Sequence, residues 1–379
     1  MKKSISLIAS LLILTSLTAC QATPTDFTFK INDPSVDGVV DFHTELQNRY
    51  INSEDYTTTN GIAAGSASKE QPNPLFINWK DSKANNNKKP KYYILDIYEG
   101  NSDTSWYSKS NITNFDGFDV YNLKLDTEYQ YQVTAYYSDT VQFKSEKKTF
   151  RTTNKGPRNL FVNNVMNIRD LGGHGIKQGL IYRSGRFNEN ADNAGVSLLD
   201  EQSLDVLLNT LKIKTEIDLR RPGENGNITT SPLGDKVKYN HLPMYYGGEN
   251  VLTYVGEHSA FLYDNPARIK EFFELLSDRN NYPVDFHCAI GKDRTGCMAY
   301  LIEALCGMEE EYLYRDYLFS NFAKISGICK TEDIDDRYGA TLKAYEGNTL
   351  QEKTYNYLNK VIGVETEKLD AIKDILIDK

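Results

Sequence analysis

The segment His287-Cys288-Ala289-Ile290-Gly291-Lys292-Asp293-Arg294-Thr295-Gly296 places a thiol and a guanidinium six positions apart on one short stretch. A cysteine attacks as its thiolate, and positive surroundings favour that form at neutral pH. Arg294 carries a permanent charge on a planar fork that matches two phosphate oxygens. The pair suits attack by Cys288 on a phosphorus whose remaining oxygens are already held. Thr295 can give a hydroxyl hydrogen bond to the sulfur. The leaving oxygen needs a proton, which asks for a carboxylic acid near the loop.

Such chemistry depends on what holds the loop. Val284 and Phe286 read as a strand ending at the loop. Met298, Leu301, Ile302 and Leu305 form a helical stripe after it, closed by Gly307. A loop between a strand and a helix N-terminus can turn the backbone N–H groups of Ala289, Ile290, Gly291 and Lys292 inward as an anion cradle. Gly291 permits backbone angles that a Cβ would resist. Further short strands (Leu180 to Tyr182, Thr215 to Leu219) alternate with helical patterns around Leu204 to Leu211, Ile269 to Leu276 and Leu369 to Leu376. This alternation predicts an α/β domain over residues 158–379, a mainly parallel sheet flanked by helices. Rhodanese-like sulfurtransferases also use a Cys loop, but with one residue fewer before the arginine; the spacing here favours phosphate.

These residues resemble the signature of cysteine-dependent protein tyrosine phosphatases, and the ending Gly291-Lys292-Asp293-Arg294-Thr295-Gly296 is similar to that of the atypical bacterial family. Asn167-Ile168-Arg169-Asp170-Leu171-Gly172-Gly173, Tyr182-Arg183-Ser184-Gly185, Ile217-Asp218-Leu219-Arg220 and Tyr317-Leu318-Phe319-Ser320-Asn321 follow the family's order. Residues 323–350 depart from it as a variable insertion. The resemblance implies a phosphomonoester hydrolase working through a phosphocysteine intermediate, without metal or other cofactor. Its implied substrates are phosphotyrosine, phosphoserine or phosphothreonine in proteins, and phosphoinositides. It makes Asp293 the general acid, with Asp218 as the alternative, and gives Lys292 a role in substrate binding. His287, Arg169 and Asp170 are expected to support the loop. The competing reading is a surface adhesion or scaffold protein with a degenerate phosphatase domain.

The chain before residue 158 has another character. Lys2 and Lys3, an apolar run from Ile5 to Leu14, and Leu17-Thr18-Ala19-Cys20 resemble a bacterial lipoprotein signal. Residues 1–20 are therefore expected to be a signal peptide, with Cys20 acylated and the protein tethered to a membrane outside the cytoplasm. Residues 21–69 read as a linker or extension. Over residues 70–153 apolar positions alternate, as at Leu75, Ile77 and Trp79 and at Tyr129, Tyr131, Val133 and Ala135. Leu123 and Tyr129 resemble the tyrosine corner of fibronectin type III domains, so an all-β fibronectin III-like sandwich is expected. Asn154-Lys155-Gly156-Pro157 reads as a linker. A net charge of -9 and a pI near 5.3 argue against a nucleic-acid partner. The cysteines besides Cys20 lack C-x-x-C spacing, which argues against zinc and a disulfide framework.

Overall fold

The computed structural model describes residues 27–31, 39–59, 61–63, 70–81, 89–114, 116–189, 196–245, 261–335 and 339–378. The signal-peptide reading and Cys20 lie outside these residues.

Among the described residues the N-terminal half has nine strands: β1 (Phe27–Ile31), β2 (Val39–Val40), β3 (Leu75–Asp81), β4 (Tyr92–Glu99), β5 (Tyr107–Ile112), β6 (Gly117–Val120), β7 (Glu128–Ser138), β8 (Val141–Lys144) and β9 (Lys148–Thr152). One sheet has the order β1-β3-β6; the other runs β2-β9-β7-β4-β5, with β8 also on β7. Alternation decides which side chains go inside. Leu75, Ile77 and Trp79 on β3 share one core with Tyr93, Leu95 and Ile97 on β4 and with Tyr129, Tyr131, Val133 and Ala135 on β7. Tyr129 Oη accepts a hydrogen bond from the Lys124 N–H at 2.9 Å, fixing the approach to β7.

The C-terminal half carries a second six-stranded sheet, from β10 (Arg158–Asn159), β11 (Arg169–Asp170), β12 (Ile181–Ser184), β13 (Thr215–Asp218), β14 (Lys238–His241) and β15 (Val284–His287). Its order is β10-β11-β12-β15-β13-β14. The strands from β12 to β14 are parallel, while β10 and β11 are antiparallel. The sheet is thus mainly parallel, with both central strands β13 and β15 buried along their length. The helices of this half are α2 (Glu201–Asp205), α3 (Phe261–Asp264), α4 (Pro266–Leu276), α5 (Asp293–Cys306), α6 (Glu310–Phe319), α7 (Thr331–Ile334), α8 (Ala340–Lys343), α9 (Leu350–Asn356) and α10 (Thr366–Leu376); α1 (Glu45–Ile51) comes from the N-terminal half. α5 ends as expected at Gly307, with φ 80°.

The structure adds detail to three of these readings. Residues 21–69 are not linker throughout: β1 pairs with β3, and α1 begins with a capping box between Thr44 and Gln47. Tyr50, Ile51 and Ala63 enter the core of the C-terminal half, and Arg315 Nη1 donates to the Tyr50 carbonyl at 2.7 Å. A seven-residue helix in a Thr/Asn-rich stretch spans too few turns for its period to stand out. Residues 154–157 are pinned rather than loose. The Pro157 carbonyl accepts from His43 Nε2 and the Gly156 carbonyl from His174 Nε2, each at 3.0 Å. The insertion, finally, is folded into the core through Ile325, Cys329, Ile334 and Leu342.

Candidate active site

β15 delivers Cys288 to the end of the central sheet, and α5 begins five residues later at Asp293. The intervening turn is tight. At Gly291, φ is 70°, and a Cβ there would lie 2.7 Å from the Ser184 carbonyl. Only glycine fits this close approach to β12. The loop opens into a cleft of about 240 Å³ walled by Arg221, Glu224, Cys288, Ala289, Ile290, Asp293, Arg294 and Ser326.

Cys288 is nearly fully buried, and burial alone would push its thiol pKa up. The Arg294 charge, reinforced by the adjoining Thr295, outweighs burial and holds the pKa below the ordinary thiol value. Arg294 Nη1 donates to the Leu219 carbonyl at 3.2 Å and to Glu224 Oε2 at 2.7 Å. Burial opposes ionisation of Glu224, but the Arg294 charge and hydrogen bond bring its pKa down to about 2. Asp293 is the first residue of α5 and faces the same cleft.

Asp218 is a different kind of carboxylate. It is buried, accepts Arg220 Nη2 at 2.7 Å and Arg220 Nε at 2.9 Å, and also receives the Tyr239 hydroxyl at 3.1 Å. Burial raises its pKa; the His287 charge and the Arg220 bonds overcome this and keep it below the usual range. It forms no wall of the cleft. Of the two expected acids, Asp218 is thus held in a buried ion pair with Arg220, while Asp293 borders the cleft.

His287 Nε2 meets Glu216 Oε1 at 2.9 Å, and its Nδ1 meets the Cys288 carbonyl at 3.2 Å. Burial lowers its pKa, yet the Asp218 and Glu216 carboxylates raise it to about 9. His287 is thus a buried cation that anchors the start of the loop. Lys292, expected to bind substrate, is not among the residues that wall the cleft. Its Nζ lies 3.9 Å from Asp293 Oδ1 and packs against Gly327 outside the cleft walls. Among the described residues no cluster of three His, Cys, Asp or Glu side chains is placed to hold a metal ion, and Cys288, Cys297, Cys306 and Cys329 are unbridged.

Residues 160–378 match the profile of the Tyrosine phosphatase family. The chain belongs to that family. A Cupriavidus necator protein named for a tyrosine-protein phosphatase activity is 28% identical over 181 residues, covering 44% of this chain and 64% of the relative. The chain thus spans a little under two thirds of that relative's length. The core catalytic domain of the PP-IP phosphatase Siw14 from S. cerevisiae superposes with a TM-score of 0.31 at 18% identity, over 51% of this chain and 93% of the other. For TpbA of P. aeruginosa the values are 0.30 and 18%, over 50% and 92%.

Several site residues of this tyrosine phosphatase family member escape sequence reasoning. Asn167 and Arg183 stand inside recognisable motifs, yet the motifs do not show their task. Asn167 Nδ2 donates to the Gly291 carbonyl at 3.0 Å, and Arg183 Nη2 donates to the same oxygen at 2.8 Å. Arg169 supports the loop through Asn167, to whose Oδ1 its Nη1 donates. Asp170, expected to brace the loop, instead closes the junction between the two halves. It pairs with Arg158, whose Nη2 and Nε donate to the Asn122 and Leu123 carbonyls at 2.6 and 3.0 Å. Glu224, Arg221 and Ser326 reach the cleft only through the fold. No spacing in the sequence announces them.

Proposed function

We propose that this protein hydrolyses phosphate monoesters of tyrosine in proteins, and of serine, threonine or phosphoinositides, through a phosphocysteine intermediate. The observation that carries this reading is the meeting of Cys288 and Arg294 in one cleft between the end of β15 and the start of α5, where the Arg294 charge favours the thiolate. In the first step Cys288 Sγ bonds to phosphorus as the P–O bond to the leaving group breaks. The electron pair goes to that oxygen, which takes a proton from Asp293. In the second step water attacks phosphorus, the S–P bond breaks back to thiolate, and Asp293 takes the proton. Arg294 holds the transferring phosphoryl oxygens through both steps.

The lipoprotein signal supports a mature protein tethered by acylated Cys20 to a bacterial membrane, facing away from the cytoplasm. Two sheets sharing one core and the Tyr129 hydroxyl on its upstream backbone support a fibronectin III-like unit, which begins at β1 rather than at residue 70. The testing experiment is a panel of phosphopeptides and phosphoinositides offered to the chain lacking residues 1–20. Release of phosphate that disappears in Cys288→Ser is expected. No release from any member of the panel contradicts hydrolysis and favours the scaffold reading.

A further inference from the structure

Two buried arginines meet the outside of the Cys288 loop, and one carboxylate joins them. Asp316 on α6 accepts Arg169 Nε at 2.9 Å on Oδ1 and Arg183 Nη1 on Oδ2, while its backbone carbonyl accepts Arg169 Nη2 at 2.9 Å. Arg183 then reaches the Gly291 carbonyl. Arg169 holds Asn167, which reaches the Gly291 and Ile290 carbonyls at 3.0 and 3.2 Å. All four side chains are buried.

A trans peptide plane carries its N–H and C=O on opposite sides. Drawing the Ile290 and Gly291 carbonyls outward therefore turns the N–H groups of Gly291 and Lys292 toward the cleft, where an oxyanion needs them. We propose that Asp316 is a positioning residue for the phosphate cradle, acting through Arg169 and Arg183. Without its charge, two guanidiniums would face each other in the interior, where repulsion is poorly screened. Glu303 is the other buried carboxyl of this cluster. Burial, then the Asp316 charge, keep its pKa well above the usual carboxylate range, so it stays neutral while Asp316 is present. If Asp316 is neutralised, one of the two effects that oppose Glu303 ionisation is removed and burial alone remains against it. Glu303→Gln alone should therefore be silent, Asp316→Asn partly compensated, and the double variant worst.

The test reads the cradle directly. Cys288 of the full chain is alkylated by iodoacetamide across a pH series, with and without inorganic phosphate as protectant. In Asp316→Asn the midpoint of alkylation should move to higher pH and phosphate protection should weaken. In the double variant the loss of protection should approach the ~10²-fold cost of a misplaced cradle. Glu303→Gln should match wild type in both. A folded double variant with wild-type midpoint and protection overturns the proposal. Should the Asp316 variants not fold, Asn167→Gly removes both hydrogen bonds from Asn167 Nδ2 to the loop, leaves the Arg169–Asp316 and Arg183–Asp316 pairs in place, and tolerates the φ of 56° at that position. Wild-type protection in Asn167→Gly would equally overturn it. The kinetic consequence, a fall in kcat on p-nitrophenyl phosphate, rests on the hydrolase reading. If the wild type releases no phosphate, that reading fails, while alkylation still decides the role of Asp316.

Discussion

At Cys288 two large effects oppose each other, and the sign of their sum matters for the chemistry. Complete burial disfavours the thiolate; Arg294 and Thr295 favour it and prevail. Asp293 and Asp218 show the reverse lesson, since the expected acid and its alternative separate further once their partners are seen. Asp218 is locked to Arg220 inside the sheet, whereas Asp293 borders the cleft. If Asp293 donates the proton, Asp293→Asn should slow an alkyl or tyrosyl phosphate by roughly 10²–10⁴-fold. An aryl phosphate with a very acidic phenol should be nearly spared, because its leaving group needs no proton. Steady-state rates across a series of leaving groups check this. An equal loss for all of them would remove Asp293 from the acid role.

At the scale of elements, β13 and β15 bring Glu216, Asp218 and His287 together beneath the loop. The folded pKa of His287, raised to about 9, lies above its unfolded value near 6.5. The sign follows from linkage: this pairing stabilises fully below pH 6.5 and is lost as pH rises through 9. Melting temperature should thus fall over that window, and His287→Asn should flatten the fall. An unchanged slope in the variant would show that another group titrates there. The strands and α5 were legible because alternation and a helical stripe have short periods. The signature loop was legible because Cys288, Gly291 and Arg294 are fixed by local geometry. The bracing by Asn167, Arg183 and Asp316 was not, because it joins residues from distant parts of the chain. Nothing in the local pattern around Asp316 shows which arginines it will meet.

Across the whole molecule the two halves share more than a boundary. Leu125 exchanges hydrogen bonds with Gln178 at 2.7 and 2.9 Å, and Arg158 spans from Asp170 to the Asn122 and Leu123 carbonyls. Tyr50 on α1 is buried in the same core as Cys288, with its hydroxyl on the Tyr56 carbonyl at 2.8 Å. Tyr50→Ala should therefore destabilise the C-terminal half by about 3–5 kcal/mol, the usual cost of emptying a large aromatic site. Denaturant unfolding followed by Cys288 reactivity measures it, and an effect below about 1 kcal/mol would place Tyr50 outside that core's energetics. Asn321 extends the same dependence, joining Thr59 at 2.8 Å to the Cys329 backbone and so to the insertion that carries Ser326 to the cleft. The central claim, that Cys288 forms a covalent bond to phosphorus, is tested most directly by mass spectrometry of protein quenched in acid during turnover of an aryl phosphate. One added phosphoryl group on the peptide containing Cys288 is the expected result, and it should be missing from Cys288→Ser. Phosphate release by wild type with that peptide unmodified, or turnover that survives in Cys288→Ser, would contradict the account.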